Sequence, residues 1–190
     1  IYIRAVDWPE NIRAWLGGPR HGIGELRRSL GAEQRALLCT ALKPMGSSPE
    51  TLADAAYRFA SGGIDIIIDD HGLANQPDAP FSVRLHACAE AVSRANAETG
   101  GNSLYCPNVT AGYSELPARL EAAREAGCLG VLLNPWVTGL DAMRWARDHY
   151  GLMIMAHPSL TGAYFRPEHG IAPQVLLGEL FRLAGADAVI

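Results

Sequence analysis

The chain has 190 residues, 48% hydrophobic and 19% charged, which is enough apolar material for one sizeable core and unlike a disordered or fibrous composition. A formal net charge of −4 and a pI near 5.8, with the arginines scattered, leave no basic footprint for nucleic acid. No apolar run approaches the roughly 20 residues needed to span a bilayer, no signal peptide opens the chain, and Cys39, Cys88, Cys106 and Cys128 form no CxxC pair, so the expectation is a cytoplasmic protein with reduced thiols that acts on a small molecule.

The chain begins at Ile1 and stops at Ile190 inside an apolar run, so both ends are expected to be cut. Residues 1–30, with Trp8, Trp15, Gly17-Gly18-Pro19 and the basic pair Arg27-Arg28, read as a lead-in segment and linker from a missing N-terminal domain, with a helix before the first strand. From there short apolar runs recur without strict alternation: Ala36–Leu42, Ile64–Ile68, Ser103–Cys106, Gly130–Leu133, Leu152–Met155 and Ala188–Ile190. Such runs fit parallel strands covered on both faces. Between them lie stretches of helical spacing. The first is capped at Ser48-Pro49-Glu50 and stopped at Gly62-Gly63; Phe81–Glu98, Ser114–Ala126, Asp141–His149 and Pro173–Ala184 follow, each ending near glycine. Six strands alternating with helices predict an α/β architecture with a parallel sheet.

An open doubly wound sheet and a barrel both satisfy that alternation. The polar residues favour the barrel, because five successive strands end in reactive or hydrogen-bonding groups: Lys43, then Asp69-Asp70-His71, then Asn108 with Thr110, then Asn134, then His157. A barrel gathers its strand ends at one mouth, whereas an open sheet needs such groups only at its switch point. A full (β/α)₈ TIM barrel takes about 250 residues. Residues 31–190 therefore read as a truncated barrel with strands one to six.

Lys43 is the only lysine among the 16 basic residues. An amine can lose its proton when buried and arginine cannot, so a single retained lysine is a candidate base or nucleophile, against the plainer reading of a surface lysine. Pro44 ends the strand at it. Asp69 and Asp70 offer oxygen ligands suited to magnesium, or helix-capping carboxylates in a turn. His157, before Pro158, can shuttle a proton or serve structurally.

At these residues the sequence resembles the RuBisCO large-chain superfamily. Thr40-Ala41-Leu42-Lys43-Pro44 is similar to the family's first-strand motif, and Gly62-Gly63-Ile64-Asp65 with Asp69-Asp70 and Gln76 to its second-strand metal motif. Tyr105–Ala111, with Asn108-Val109-Thr110-Ala111, resembles the third-strand segment; His169-Gly170-Ile171 with Leu183-Ala184-Gly185-Ala186-Asp187 resembles the approach to the sixth. The resemblance implies the C-terminal barrel of a homodimer whose site is completed by the neighbour's N-terminal domain. It also implies Lys43 and His157 as catalytic residues, Thr40, Asn108 and Asn134 as substrate-binding residues, and Asp70 and His71 as magnesium ligands.

Four departures redirect the expected activity. Ile68 holds the place of the lysine that becomes carbamylated, His71 that of the glutamate ligand, Met45 that of a second lysine and Pro158 that of a phosphate-binding arginine. Carbon dioxide fixation is therefore not expected. The resemblance points to a RuBisCO-like protein that isomerises, enolises or decarboxylates a phosphorylated sugar or sugar acid through an enediolate, as in methionine salvage, with magnesium in doubt. A genuine carboxylase homologue, a degenerate sugar-phosphate-binding barrel and a metal-free Schiff-base aldolase remain as alternatives.

Overall fold

The structure, a computed structural model, describes residues 1–190. A short strand β1 (Tyr2–Ile3) leads into α1 (Glu10–Leu16) and α2 (Gly22–Leu30), and the alternation then begins. It runs β2 (Cys39–Leu42), α3 (Pro49–Ser61), β3 (Ile66–Asp69), α4 (Phe81–Thr99), β4 (Leu104–Cys106), α5 (Leu116–Glu125), β5 (Gly130–Leu133), the one-turn α6 (Pro135–Thr138), α7 (Leu140–Tyr150) and β6 (Met153–Ala156). After β7 (Gly170–Ile171), a π-helical stretch, Gln174–Leu180, passes into α8 (Phe181–Leu183) and the chain ends through β8 (Ala188–Val189). The local signals act where their chemistry predicts. Ser48 accepts from the Thr51 N–H at the start of α3, and α4 stops at Gly100, whose φ of 70° suits a residue without a Cβ.

Every strand pairing is parallel. β2, β3 and β4 are neighbours, β5, β6 and β8 are neighbours, and a bridge between Asn108 and Leu132 joins the two groups. The spatial order therefore follows the chain, with no switch point, which is barrel order rather than doubly wound order. The outer edges of β2 and β8 have no partner strand. No helix is long and apolar enough to cross a membrane.

Two apolar clusters lie on the two faces of this curved sheet. Ile66 and Ile68, Leu104 and Cys106, Leu132, and Met153 and Met155 pack on the inner face. Ile67, Tyr105, Val131, Leu133 and Ile154 pack with Leu52, Leu85, Leu120, Met143 and Phe181 in the larger outer cluster against the helices. The period-2 alternation of a strand assigns each residue to one face or the other. Leu26 and Leu30 of α2 join the inner cluster. The lead-in segment is also tied to the far end of the chain. β1 pairs with β7, Trp8 Nε1 donates to Glu179 at 2.6 Å, and Arg147 Nη1 donates to the carbonyls of Leu16 and Gly18. The four cysteines are unpaired; Cys39 is exposed, and burial pushes the Cys88 and Cys128 thiols up to about 12.

The outward-facing end of β3 carries a fully buried ion pair. Arg84 Nε donates to Asp69 Oδ2 at 3.1 Å, both side chains having no solvent exposure. Tyr105 OH and the Asn108 N–H complete the carboxylate at 2.8 and 2.9 Å. Burial pushes the Asp69 carboxyl up, against the pull of Arg84, the Asn108 N–H and the Tyr105 hydroxyl. Arg84 also donates to the carbonyls of Ala79 at 2.6 Å and Leu73 at 2.7 Å, which spreads one guanidinium over the loop that follows β3. Removing one partner of such a pair leaves an uncompensated buried charge. Arg84→Met should therefore destabilise the protein by about 3–5 kcal/mol, read as a lowered midpoint in chemical denaturation.

Candidate active site

In four of the strands the last residue faces the helices and the next one turns to the mouth. Leu42, Asp69, Leu133 and Ala156 pack outward, so Lys43, Asp70, Asn134 and His157 emerge together at the C-terminal ends of β2, β3, β5 and β6. The adjacent aspartates therefore diverge. Asp69 belongs to the buried pair with Arg84, and Asp70 alone reaches the mouth, so they do not form the paired oxygen ligands that their sequence suggests.

Asp70 is the centre of the cluster. Its carboxylate is only 8% exposed, with Oδ2 at 3.0 Å from Lys43 Nζ and Oδ1 at 3.4 Å from His71 Nδ1. The Gly72 N–H donates to Oδ1 at 2.8 Å. The turn is tight there: a Cβ on residue 72 would stand 3.2 Å from Met45 Sδ and 3.3 Å from Asp70 Oδ1. Burial pushes the Asp70 carboxyl up, but the Gly72 N–H, Lys43 and His71 together hold it below the ordinary carboxylate value. The His71 ring stacks on His157, with centroids 4.6 Å apart and planes 19° apart. His157 Nδ1 lies 3.1 Å from the Ser159 N and 2.7 Å from Ser159 Oγ, which accepts when the ring proton is on Nδ1, and Nε2 has no protein partner. Burial, then the neighbouring His71, hold the His157 imidazole below its ordinary value of 6.5; Lys43 adds to this and Asp70 opposes it.

The three residues expected to bind substrate, Thr40, Asn108 and Asn134, stand in three different settings. Thr40 is in register with Ile67 and so shares the helix-facing side of β2, away from the mouth; Ala41, beside Ile68, has the inward position. Asn108 lies at the rim, but Nδ2 donates to the carbonyls of Asp70 at 3.2 Å and His71 at 3.0 Å, and Oδ1 accepts from the Thr110 N–H at 3.0 Å. It positions the Asp70 loop with every polar atom engaged. Asn134 differs: its side-chain oxygen is buried without a hydrogen-bond partner, while its backbone N–H donates to Thr110 Oγ1 at 3.0 Å. A buried acceptor with no donor costs free energy until one arrives, which suits it to a ligand hydroxyl.

The side chains do not fit a magnesium ion. No group of three or more His, Cys, Asp and Glu side chains stands close enough together to hold a metal. Ile68 is packed in the inner cluster and donates nothing, and Asp70 is already paired with an amine. Two unit charges about 4 Å apart interact by about 4 kcal/mol at a partly buried site, and a dication beside Lys43 doubles that repulsion. Clefts of about 340 and 320 Å³ lie at the opposite ends of the strands, around Ser103 and Leu129 and around Asp65 and Gly100, away from these groups.

Ser159 and Arg84 were not anticipated from the sequence. Arg84 had a signal, an arginine in the apolar stripe Phe81, Leu85, Cys88 of α4; Ser159 had none beyond its place two residues after His157. His157 should titrate below 6.5 when followed by NMR, and His71→Asn should move its midpoint upward.

Comparison with known proteins bears on the whole arrangement. A family model described as the ribulose bisphosphate carboxylase large chain, catalytic domain, matches residues 22–190. The chain is 45% identical over its full length to half of the ribulose bisphosphate carboxylase-like protein 1 of Rhodopseudomonas palustris. Over 97% of its length it is 42% identical to 49% of the 5-methylthioribulose-1-phosphate isomerase of Rhodospirillum rubrum. The crystal structure of a Rubisco-like protein from Rhodopseudomonas palustris superposes on 97% of the chain with a TM-score of 0.90 and 40% identity, the match covering 51% of that protein. The chain thus spans about half the length of the curated relatives it matches.

Proposed function

The chain belongs to the family of the ribulose bisphosphate carboxylase large chain, and from that premise we propose that the whole protein is a RuBisCO-like isomerase or enolase acting on a phosphorylated keto-sugar, with 5-methylthioribulose 1-phosphate as the first substrate to try. The observation that carries this reading is the convergence of Lys43, Asp70, His71 and His157 at one mouth, together with an orphaned acceptor on Asn134. Isomerising a ketose requires a proton to leave the carbon beside the carbonyl and return to its neighbour, while the carbonyl oxygen carries the charge of an enediolate. A histidine held below its ordinary value is neutral at physiological pH, and in the tautomer whose Nδ1–H donates to Ser159 Oγ its Nε2 is free to take that proton. Lys43 stands beside it to meet the developing oxyanion, and Asn134 Oδ1 to accept from a sugar hydroxyl.

The residues at the mouth do not complete a ligand set for the magnesium that the family resemblance implies. The same gap, with Pro158 in place of a phosphate-binding arginine, argues against carboxylation of a bisphosphate. The exposed apolar side chains Val137, Leu160 and Tyr164 follow β5 and β6 at the rim of the mouth. They support a homodimer in which another subunit covers the site.

Full-length protein should convert 5-methylthioribulose 1-phosphate, or its diketo derivative, and should fix no carbon dioxide onto ribulose 1,5-bisphosphate. His157→Asn should lower kcat by about 10²- to 10⁴-fold, the contribution of a positioned acid–base group, with a smaller change in KM. Steady-state kinetics on the two phosphates tests it; carboxylation by the unmodified protein would defeat the reading.

A further inference from the structure

The mouth holds one carboxylate among three basic side chains, and the atoms of that carboxylate are already assigned. Asp70 Oδ2 faces Lys43 Nζ at 3.0 Å; Oδ1 accepts from the Gly72 N–H at 2.8 Å and faces His71 Nδ1 at 3.4 Å. His157 is stacked on His71. At the inward-facing position below them Ile68 is buried in one apolar cluster with Cys106, Leu132 and Met155 and offers no ligand atom. Such a set leaves a cation no uncommitted carboxylate oxygen and offers the Lys43 donors to an anion.

From this geometry, and resting on the proposed function above, we infer that the site works without a divalent cation: the Lys43 ammonium, aimed by Asp70, supplies the positive charge that meets the enediolate oxygen. Asp70 then acts as a positioning residue and not as a metal ligand. The lysine side chain is 62% exposed and so reaches open space at the mouth, while the carboxylate that orients it is 8% exposed and fixed on three sides. The exposed partner is the movable one. Lys43 can keep its bond to Asp70 through one hydrogen and offer the other two to a ligand, because an ammonium has three donors and no acceptor. In this division of labour His157 moves the proton from carbon to carbon. The amine keeps its own protons and contributes charge.

Oxalate, a planar dianion with the oxygen spacing of an enediolate, is the probe. Full-length protein stripped with EDTA should bind oxalate by calorimetry, and added magnesium should leave the affinity unchanged. Titration with magnesium chloride alone should give no saturable binding at millimolar concentration. Lys43→Met should weaken oxalate by about ten- to a hundredfold, the loss of a charged hydrogen bond, whereas Lys43→Arg, which keeps the charge, should retain most of it.

Oxalate binding that appears only after magnesium is added, or saturable magnesium binding by the unmodified protein, overturns the inference, and neither measurement depends on a variant folding. Equal oxalate affinity in Lys43→Met overturns it as well. Failure of the proposed function looks different: oxalate binds as expected in EDTA, yet neither phosphorylated sugar is turned over.

Discussion

The buried pair of Arg84 and Asp69 is the interaction on which the site depends, although neither residue reaches it. A fully desolvated carboxylate is tolerated only with its partners in place, and here they come from three elements: Arg84 on α4, Tyr105 on β4 and the Asn108 N–H beyond β4. The pair therefore locks the end of β3 to its neighbouring strand and to its own following helix. The same guanidinium holds the Leu73 and Ala79 carbonyls, so the loop that begins with Asp70 and His71 has little freedom to move. Asn108 closes the arrangement from the other side by donating to the Asp70 and His71 carbonyls. What resembles a polar active-site cluster in the sequence is, for Asp69 and Asn108, the frame that aims Asp70.

The architecture was legible because the parallel strands are buried on both faces. Each run such as Ile66–Ile68 or Gly130–Leu133 is continuously apolar, the intervening stretches have helical period, and glycine or a cap marks the ends. Barrel order followed from chemistry at successive strand ends, and the strand order agrees. Contacts that join distant parts of the chain were not legible. The pairing of β1 with β7, the anchoring of Trp8 on Glu179 and the docking of α2 under the inner face depend on how the barrel curves, which no local pattern records.

The site was legible as a set of strand ends and less so as a set of roles. Lys43, Asp70, Asn134 and His157 share the mouth because each follows an outward-packed residue, and that parity was available in the sequence. Counting back two residues from Leu42 places Thr40 with the helices, and counting one back from Asp70 does the same for Asp69. Motif resemblance does not carry this information, because it aligns residue types and not faces. The role of Arg84 stayed hidden for a different reason: a charged residue in an apolar helical stripe reads as an interruption until its buried partner is known.

A family scaffold and a family chemistry separate cleanly at this mouth. The residues that hold the strands in register, Asp69, Arg84, Tyr105 and Asn108, act on the helix-facing side or on backbone carbonyls, and none of them requires a metal. The proposed chemistry rests on the single residue that follows each of β2, β3, β5 and β6 and on the inward position of β3. Exchanging an amine-bearing side chain for Ile68 at that inward position removes a ligand without touching the frame, since an aliphatic group there packs with Cys106 and Met155 as part of the core. The carboxylate left at Asp70 then needs a counter-charge, and Lys43 is the cation in contact with it. A scaffold that lost a carbamate in this way would keep its fold and its strand-end geometry while passing the stabilisation of an oxyanion from an ion held by three ligands to one ammonium held by one.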